Sequence, residues 1–180
     1  MKTLTLLRHA KSSWDDSVPR DFDRPLNGKG DRAAVTVGRH LRAQNMAFDH
    51  VVSSPAVRCV ETLEKFWEGY GDELAPTWDK RIYLASCVTL LDVVQDAPDS
   101  ADRLLMVGHN PGLEDLVLLL VPDSGENPLR DELEEKFPTA SVAEMQFDVQ
   151  RWADVDARKG VLVRFIRPRD LDPTLGPDRN

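Results

Sequence analysis

The most restrictive feature of this chain is a set of short apolar runs that stop abruptly at polar, chemistry-bearing residues. Leu4-Thr5-Leu6-Leu7 leads straight into Arg8-His9, and Leu104-Leu105-Met106-Val107 into Gly108-His109. A third run, Val51-Val52, gives way to Ser53-Ser54-Pro55. Runs of this length, bounded by polar residues, suggest buried strands. Helical stripes lie between them. Ala33, Ala34, Val37 and Leu41 follow a start near Asn27 or Gly28 and reach about Gln44. Val57, Val60, Leu63, Phe66 and Trp67 mark a helix from Pro55 to about Glu68, ended by Gly69 and Gly71. Strands alternating with helices predict an α/β fold, a three-layer α/β/α sandwich with helices on both faces of a central sheet.

The first strand is expected over residues 3–9 and the second over 48–53, with a polar loop over 10–27. A short strand over 77–83, a helix capped by Ser86 and reaching about Gln95, a strand over 103–107 and a helix over 111–121 follow. Residues 122–138 suggest a loop with a short helix over 131–136. Strands over 141–148 and 160–166 close the pattern, the second with Val161, Val163 and Phe165 alternating. No repeat or linker divides the chain, so one domain is expected over 1–168. Residues 169–180, with Pro173, Pro177 and many charges, predict a flexible tail.

In open α/β sheets ligands bind just beyond the carboxyl ends of the strands, which is where Arg8-His9, Ser54 and His109 fall. A guanidinium offers a planar fork of donors that matches phosphate, and a neutral imidazole is a competent nucleophile toward phosphorus. Ser54 is a plausible N-cap with Pro55 at the first helical position, which sets Arg58 one turn inside, over the N-terminal end of its helix. The helix opening at Pro111 is expected to direct backbone N–H groups toward the same anion. Lys11 and Ser12 either touch phosphate or face solvent. Asn110 bonds either substrate or its own loop. Thr62 is expected to support the site, Trp14 to rim the pocket or simply pack, and His40 and His50 to stand outside it.

Composition excludes several classes. A net charge of −8 argues against nucleic acid as a partner. No apolar stretch approaches the ~18 residues of a membrane span, and Met1-Lys2-Thr3 leaves no room for a signal peptide, so a cytoplasmic location is expected. Cys59 and Cys87 are expected to be buried free thiols. The acid-rich stretch from Asp123 to Lys136 suggests a solvated helical face, or else a surface that selects a partner. No cluster has metal-ligand spacing, and Gly28-Lys29-Gly30 is too short for a phosphate-cradling loop.

Four motifs occur in order: Arg8-His9-Ala10-Lys11-Ser12-Ser13-Trp14, Asp23-Arg24-Pro25-Leu26-Asn27-x-x-Gly30, Ser53-Ser54-Pro55-x-x-Arg58 and Gly108-His109-Asn110-Pro111-Gly112-Leu113-Glu114. Together they resemble the histidine phosphatase superfamily, and within it the small SixA-type phosphohistidine phosphatases. The resemblance spans residues 1–168. It implies a phosphoglycerate mutase-like fold, mostly parallel with one antiparallel strand. His9 is then the nucleophile that forms a phosphohistidine intermediate, Arg8 and Arg58 clamp the non-bridging oxygens, and His109 donates to the phosphoryl group. Neither metal nor cofactor is implied.

The pattern departs from many relatives in two places. Lys11 stands where glutamate is common, and Asp79-Lys80-Arg81-Ile82-Tyr83-Leu84-Ala85-Ser86 lacks the glutamate that protonates a leaving alkoxide. A site without that acid suits the labile P–N bond of phosphohistidine better than a phosphate ester, although Asp15, Asp16 and Glu114 are candidate substitutes. The expected activity is therefore a metal-independent phosphohistidine phosphatase, with a monomer as the default state. Its partners by resemblance are a histidine-phosphotransfer domain or a phosphocarrier. The alternatives are a phosphatase or mutase acting on a small phosphate ester, and a non-catalytic phosphate-binding adaptor.

Overall fold

The computed structural model describes residues 1–14, 17–18 and 20–177. The chain runs β1 (Lys2–Arg8), α1 (Gly28–Ala43), β2 (His50–Ser53), α2 (Val57–Tyr70), β3 (Thr77–Trp78) and α3 (Cys87–Gln95). It continues with β4 (Arg103–Gly108), α4 (Gly112–Leu120), α5 (Pro128–Glu135), β5 (Val142–Phe147), β6 (Gly160–Ile166) and α6 (Pro168–Leu171). One six-stranded sheet has the order β3-β2-β4-β1-β5-β6. The β3/β2, β2/β4 and β4/β1 pairs are parallel, whereas β5 runs antiparallel to both β1 and β6. This is the mostly parallel sheet with one reversed strand that the family resemblance implies.

Period-two alternation along the central strands builds two cores. Leu4, Leu6, Leu104 and Met106 face α3, α4 and α5, with Leu90, Leu116, Leu120 and Leu133 packed against them. Leu7, Leu105 and Val107 face the opposite way, toward Val37, Leu41, Leu63 and Phe66 of α1 and α2. Both faces of β1 and β4 are therefore buried, which is why their sequences are continuous apolar runs. Arg130 of α5 ties its own helix to the end of α4 through the carbonyls of Val121 (3.1 Å) and Leu118 (3.3 Å).

Several elements differ from their sequence-based expectation. Only residues 77–78 of the strand expected over 77–83 pair as a strand; Asp79 then caps a 3-10 turn over Lys80–Ile82. The short acidic helix starts three residues earlier than expected, because Asn127 accepts the Arg130 N–H and Pro128 occupies the first turn. Gly69 lies inside α2, and Gly71, with φ 95°, closes it. A Cβ on Gly69 would sit 2.0 Å from the Val35 carbonyl oxygen of α1, so the helix continues where glycine content alone suggested an end. The expected tail contains α6 and a 3-10 turn over Pro173–Leu175. Leu171 and Leu175 pack onto the α1–α2 core, so this segment is part of the folded body as far as Pro177. Residues 178–180 lie outside the described residues. Cys59 is buried as expected, but Cys87, at the start of α3, is only half-buried.

Candidate active site

The carboxyl ends of β2, β4 and β1 are stitched together by backbone hydrogen bonds that run just past the strands. The Ser54 N–H donates to Val107 O and the His9 N–H to Gly108 O, both at 3.0 Å. Arg8 pairs with Gly108 as the last rung of the β1/β4 ladder, so His9 and His109 follow on adjacent strands. Their ring centroids lie 5.4 Å apart. His9, His109 and Arg58 are all buried, and with Arg8 they line a single cavity of about 630 Å³. The four residues singled out from sequence are brought together.

His9 Nδ1 lies 2.7 Å from the Ala10 carbonyl oxygen. A carbonyl can only accept, so we assign the ring proton to Nδ1, which leaves the lone pair on Nε2. Burial pushes the imidazole pKa down to about 3, and His109, Arg58 and Arg8 press in the same direction. The ring is therefore neutral at physiological pH, the state a nucleophile needs. The Ala10 N–H in turn donates to Thr62 Oγ1 at 2.9 Å, and Thr62 donates to Arg58 O at 2.6 Å. Thr62 thus supports the segment after His9 from α2, as the sequence suggested.

Ser54 does not serve as the expected N-cap. The α2 N-cap is Ala56, which makes no side-chain cap bond. Ser54 Oγ instead accepts the Ala56 N–H at 3.2 Å and lies 2.8 Å from His109 Nε2. Its proton is thereby left for the imidazole, and the Cys59 thiol flanks the same nitrogen at 3.6 Å. We assign His109 as the Nδ1–H tautomer on these contacts. Burial lowers its pKa to about 4, aided by Arg58 and opposed by Asp21. The thiol of Cys59 is itself pushed up to about 12 by burial and serves as a neutral neighbour.

Arg58 stands at the second position of α2. Its Nη1 and Nη2 donate to the Asp21 carbonyl (2.8 Å) and carboxylate (2.9 Å). Arg8 Nη1 donates to Phe137 O at 2.8 Å. Arg8 Nε, Arg58 Nε and His109 Nδ1 are buried without a hydrogen-bond partner among the described residues. A buried donor left unpaired costs ~1–3 kcal/mol, so three of them around one cavity mark a place suited to an anion.

Asp21 is the residue that sequence reasoning missed. It holds Arg58, accepts from Arg24 Nε at 3.0 Å and from Tyr83 Oη at 2.6 Å, and lines the cavity. Burial pulls its carboxyl upward, but the hydrogen bonds from Tyr83 and Arg58 outweigh this, so it lies below the ordinary carboxylate range. The signal available in sequence was its place in the Asp21-Phe22-Asp23-Arg24 approach to the second motif, and spacing alone does not say which acid turns inward.

The second motif is explained by its contacts. Asn27 caps α1 by accepting the Gly30 N–H at 2.8 Å, while its own N–H donates to Lys11 O at 3.0 Å. A Cβ on Gly30 would lie 2.1 Å from that same carbonyl. The motif therefore locks α1 onto the segment that follows His9. Lys11 and Ser12 line the cavity, as does Asn110. Asn110 accepts the Glu114 N–H of the helix that follows it (3.1 Å) and donates to Phe137 O, 27 positions away (3.1 Å).

The helix after His109 spends three of its first amides within the fold. The Leu113, Glu114 and Asp115 N–H groups are spent on His109 O, Asn110 Oδ1 and Pro111 O. Trp14 is exposed and lies against Arg24, whose guanidinium carbon is 5.4 Å from the ring centroid. His40 and His50 lie away from the cavity. Asp79 is engaged by Arg81 (2.8 Å) and held below the usual carboxylate range by that bond. Glu114 is shifted upward, mainly by burial. Asp15 and Asp16 lie outside the described residues. Among the described residues no group of His, Cys, Asp and Glu is placed to hold a metal ion, and no helix is long and apolar enough to cross a membrane.

Comparison with known proteins places this geometry. The sequence profile of the histidine phosphatase superfamily (branch 1) matches residues 4–82. The uncharacterized protein Rv1276c of Mycobacterium tuberculosis is 35% identical over 164 residues, spanning 91% of this chain and 100% of that protein. A Nakamurella multipartitia structure, provisionally described as the phosphohistidine phosphatase SixA, aligns with a TM-score of 0.81 at 30% identity, over 93% of this chain and 96% of that one. An Agrobacterium tumefaciens structure described in the same terms gives 0.76 at 27% identity, over 93% and 98%. Motif order, sheet topology and these likenesses agree, and the chain belongs to the histidine phosphatase superfamily.

Proposed function

We propose that this protein is a phosphohistidine phosphatase that acts on a protein substrate without a metal ion. His9 Nε2 attacks phosphorus as the P–N bond to the substrate imidazole breaks, and the departing nitrogen takes a proton. Water then attacks the phosphohistidine on His9, releasing phosphate and restoring the neutral ring. Arg8, Arg58 and the Nδ1–H of His109 stabilise charge on the phosphoryl oxygens, a role for which one well-placed donor is worth ~10²–10³ in rate.

The state of Asp21 carries this reading. It is the carboxylate that lines the cavity among the described residues, and it is held ionised by Arg58 and Tyr83. An ionised carboxylate cannot protonate a leaving alkoxide, whereas an imidazole leaving group can acquire its proton before departure. Similarity to the two SixA structures supports the same substrate class. The test is hydrolysis of a phosphohistidine protein against a panel of sugar phosphates, phosphoserine and phosphoglycerates, in EDTA. Faster turnover of the esters, or dependence on added metal, would reject the proposal.

A second reading, hydrolysis of a small phosphate ester, rests on Glu114. Its pKa is raised by burial, and it is electrostatically coupled to Arg8. Glu114→Gln separates the two: ester hydrolysis through that acid collapses, and phosphohistidine hydrolysis persists.

A further inference from the structure

We propose that the outer wall of the cavity is an anion subsite, formed by Lys136 and Arg169 beside Arg167, that reads acidic side chains flanking the phosphohistidine of the protein substrate. The inference rests on the phosphohistidine reading above and deepens it.

The cavity is much larger than its inner clamp requires. A tetrahedral phosphoryl group fills only a small part of about 630 Å³. The remaining wall is built outside the β1, β2 and β4 ends: Lys136 and Pro138 after α5, and Arg167, Pro168 and Arg169 where β6 leads into α6. Its chemistry is one-sided. Eight lining residues are arginine or lysine and one, Asp21, is acidic, in a chain whose net charge is −8. Asp21 faces Arg58 and Arg24 of the inner site and offers nothing to the outer wall.

The outer cations are not all neutralised from within. Arg167 is held by Asp170, with bonds of 2.9 and 3.1 Å. The side chains of Lys136 and Arg169 make no hydrogen bond or ion pair with any described residue; Lys136 is tied only through its backbone N–H, to Glu132 O, and Arg169 acts on Asp170 only through space. Lys136 is exposed and Arg169 half-buried, so both face an incoming ligand at the rim. Rim charges of this kind act on encounter and on orientation of a partner surface. That placement favours a protein flank over a second phosphate on a small molecule, which would require deeper enclosure. The acids of α5 do not line the cavity; Glu132 and Glu135 act through space on Arg167, which Asp170 already holds, so the subsite rests on Lys136 and Arg169, and on an otherwise acidic surface the basic mouth focuses the field on the approach to His9.

The test uses the full chain and a charge-reversal double variant, Lys136→Glu with Arg169→Glu. Three substrates are compared: phosphoimidazole and two phosphohistidine peptides of equal length, one with glutamates around the phosphohistidine and one with glutamines. The native chain should prefer the acidic peptide in kcat/KM by about tenfold, mainly through KM. The double variant should lose that preference and keep the native rate on phosphoimidazole. Equal rates on the two peptides in the native chain, or a preference that survives charge reversal, would overturn the subsite. If neither peptide turns over while p-nitrophenyl phosphate does, the phosphohistidine reading itself fails. The subsite is then judged by inhibition: an unphosphorylated glutamate peptide that inhibits the native chain but not the variant supports it, and absence of inhibition overturns it.

Discussion

Arg58 of α2 holds Asp21 through both its backbone carbonyl and its carboxylate, at 2.8 and 2.9 Å. The loop ahead of α1 is thereby fastened to the inner end of the cavity. Because the backbone bond survives truncation, Asp21→Ala should leave Arg58 in place but less firmly oriented. A fall in kcat/KM of roughly 10–100-fold is expected, with a small change in Tm because the carboxylate is partly exposed. Asp21→Asn, which keeps an acceptor, should be milder. Steady-state kinetics with thermal melts checks this, and an unchanged kcat/KM in the alanine variant would contradict it.

His9→Ala should reduce turnover by roughly 10³-fold or more while the protein stays folded. Rapid quench with radiolabelled substrate should trap an acid-labile phosphoenzyme in the native chain and none in the variant. An acid-stable adduct would point to a different nucleophile.

Acid should destabilise the protein from an unusually high pH. Unfolded imidazoles take up protons below about 6.5, but burial delays this in the folded chain to about 3 for His9 and about 4 for His109. The folded state binds fewer protons throughout that interval, so stability present at neutral pH is lost progressively as pH falls from about 6.5, levelling off only below 3. Asp21, depressed by its partners, adds a loss at the low end, as pH falls from the ordinary carboxylate value toward its own. Urea denaturation across pH 3–8 should show a combined loss of several kcal/mol. The double variant His9→Gln with His109→Gln should flatten the curve between pH 4 and 6.5.

Thr62→Val keeps the shape of the side chain and deletes two bonds. The Ala10 N–H is left buried without its acceptor, at a cost of ~1–3 kcal/mol. Because Ala10 O fixes the His9 tautomer, kcat should fall as well. Chemical denaturation and single-turnover rates measure the two effects separately.

Gly38→Ala tests the packing that carries Arg58. A Cβ at position 38 would lie 2.1 Å from the Phe66 carbonyl oxygen of α2, which forces the two helices apart. Destabilisation of at least ~2 kcal/mol is expected, read from the urea midpoint.

The parts of this protein that sequence exposed are those where one local pattern decides the outcome. Leu4 to Leu7 and Leu104 to Val107 are buried on both faces, so their apolar runs announced central strands, and the residues that ended them announced the site. Ser86 before a helix and Asn27 before α1 cap as their residue types suggest. What stayed hidden depends on contacts between distant segments. Ser54 was drawn from capping duty by His109, which is 55 positions away. Gly69 reads locally as a helix end and is in fact a close approach to α1. Proline and charge around residues 168–177 suggested fraying, yet Leu171 and Leu175 find a core built by α1 and α2. Asp21 could not be distinguished from Asp23 until Arg58 and Tyr83 were placed around it.

The rung that joins Arg8 to Gly108 has a consequence for how this protein can vary. His9 and His109 begin one residue beyond that rung, on neighbouring strands, so the gap between the two imidazoles is gauged by the backbone spacing of a β-sheet. Core residues can be exchanged, loops lengthened and the mouth of the cavity rebuilt for a new leaving group, and that gauge stays fixed. The outer cavity can drift in such a scaffold while the spacing of the two histidines keeps its dimensions.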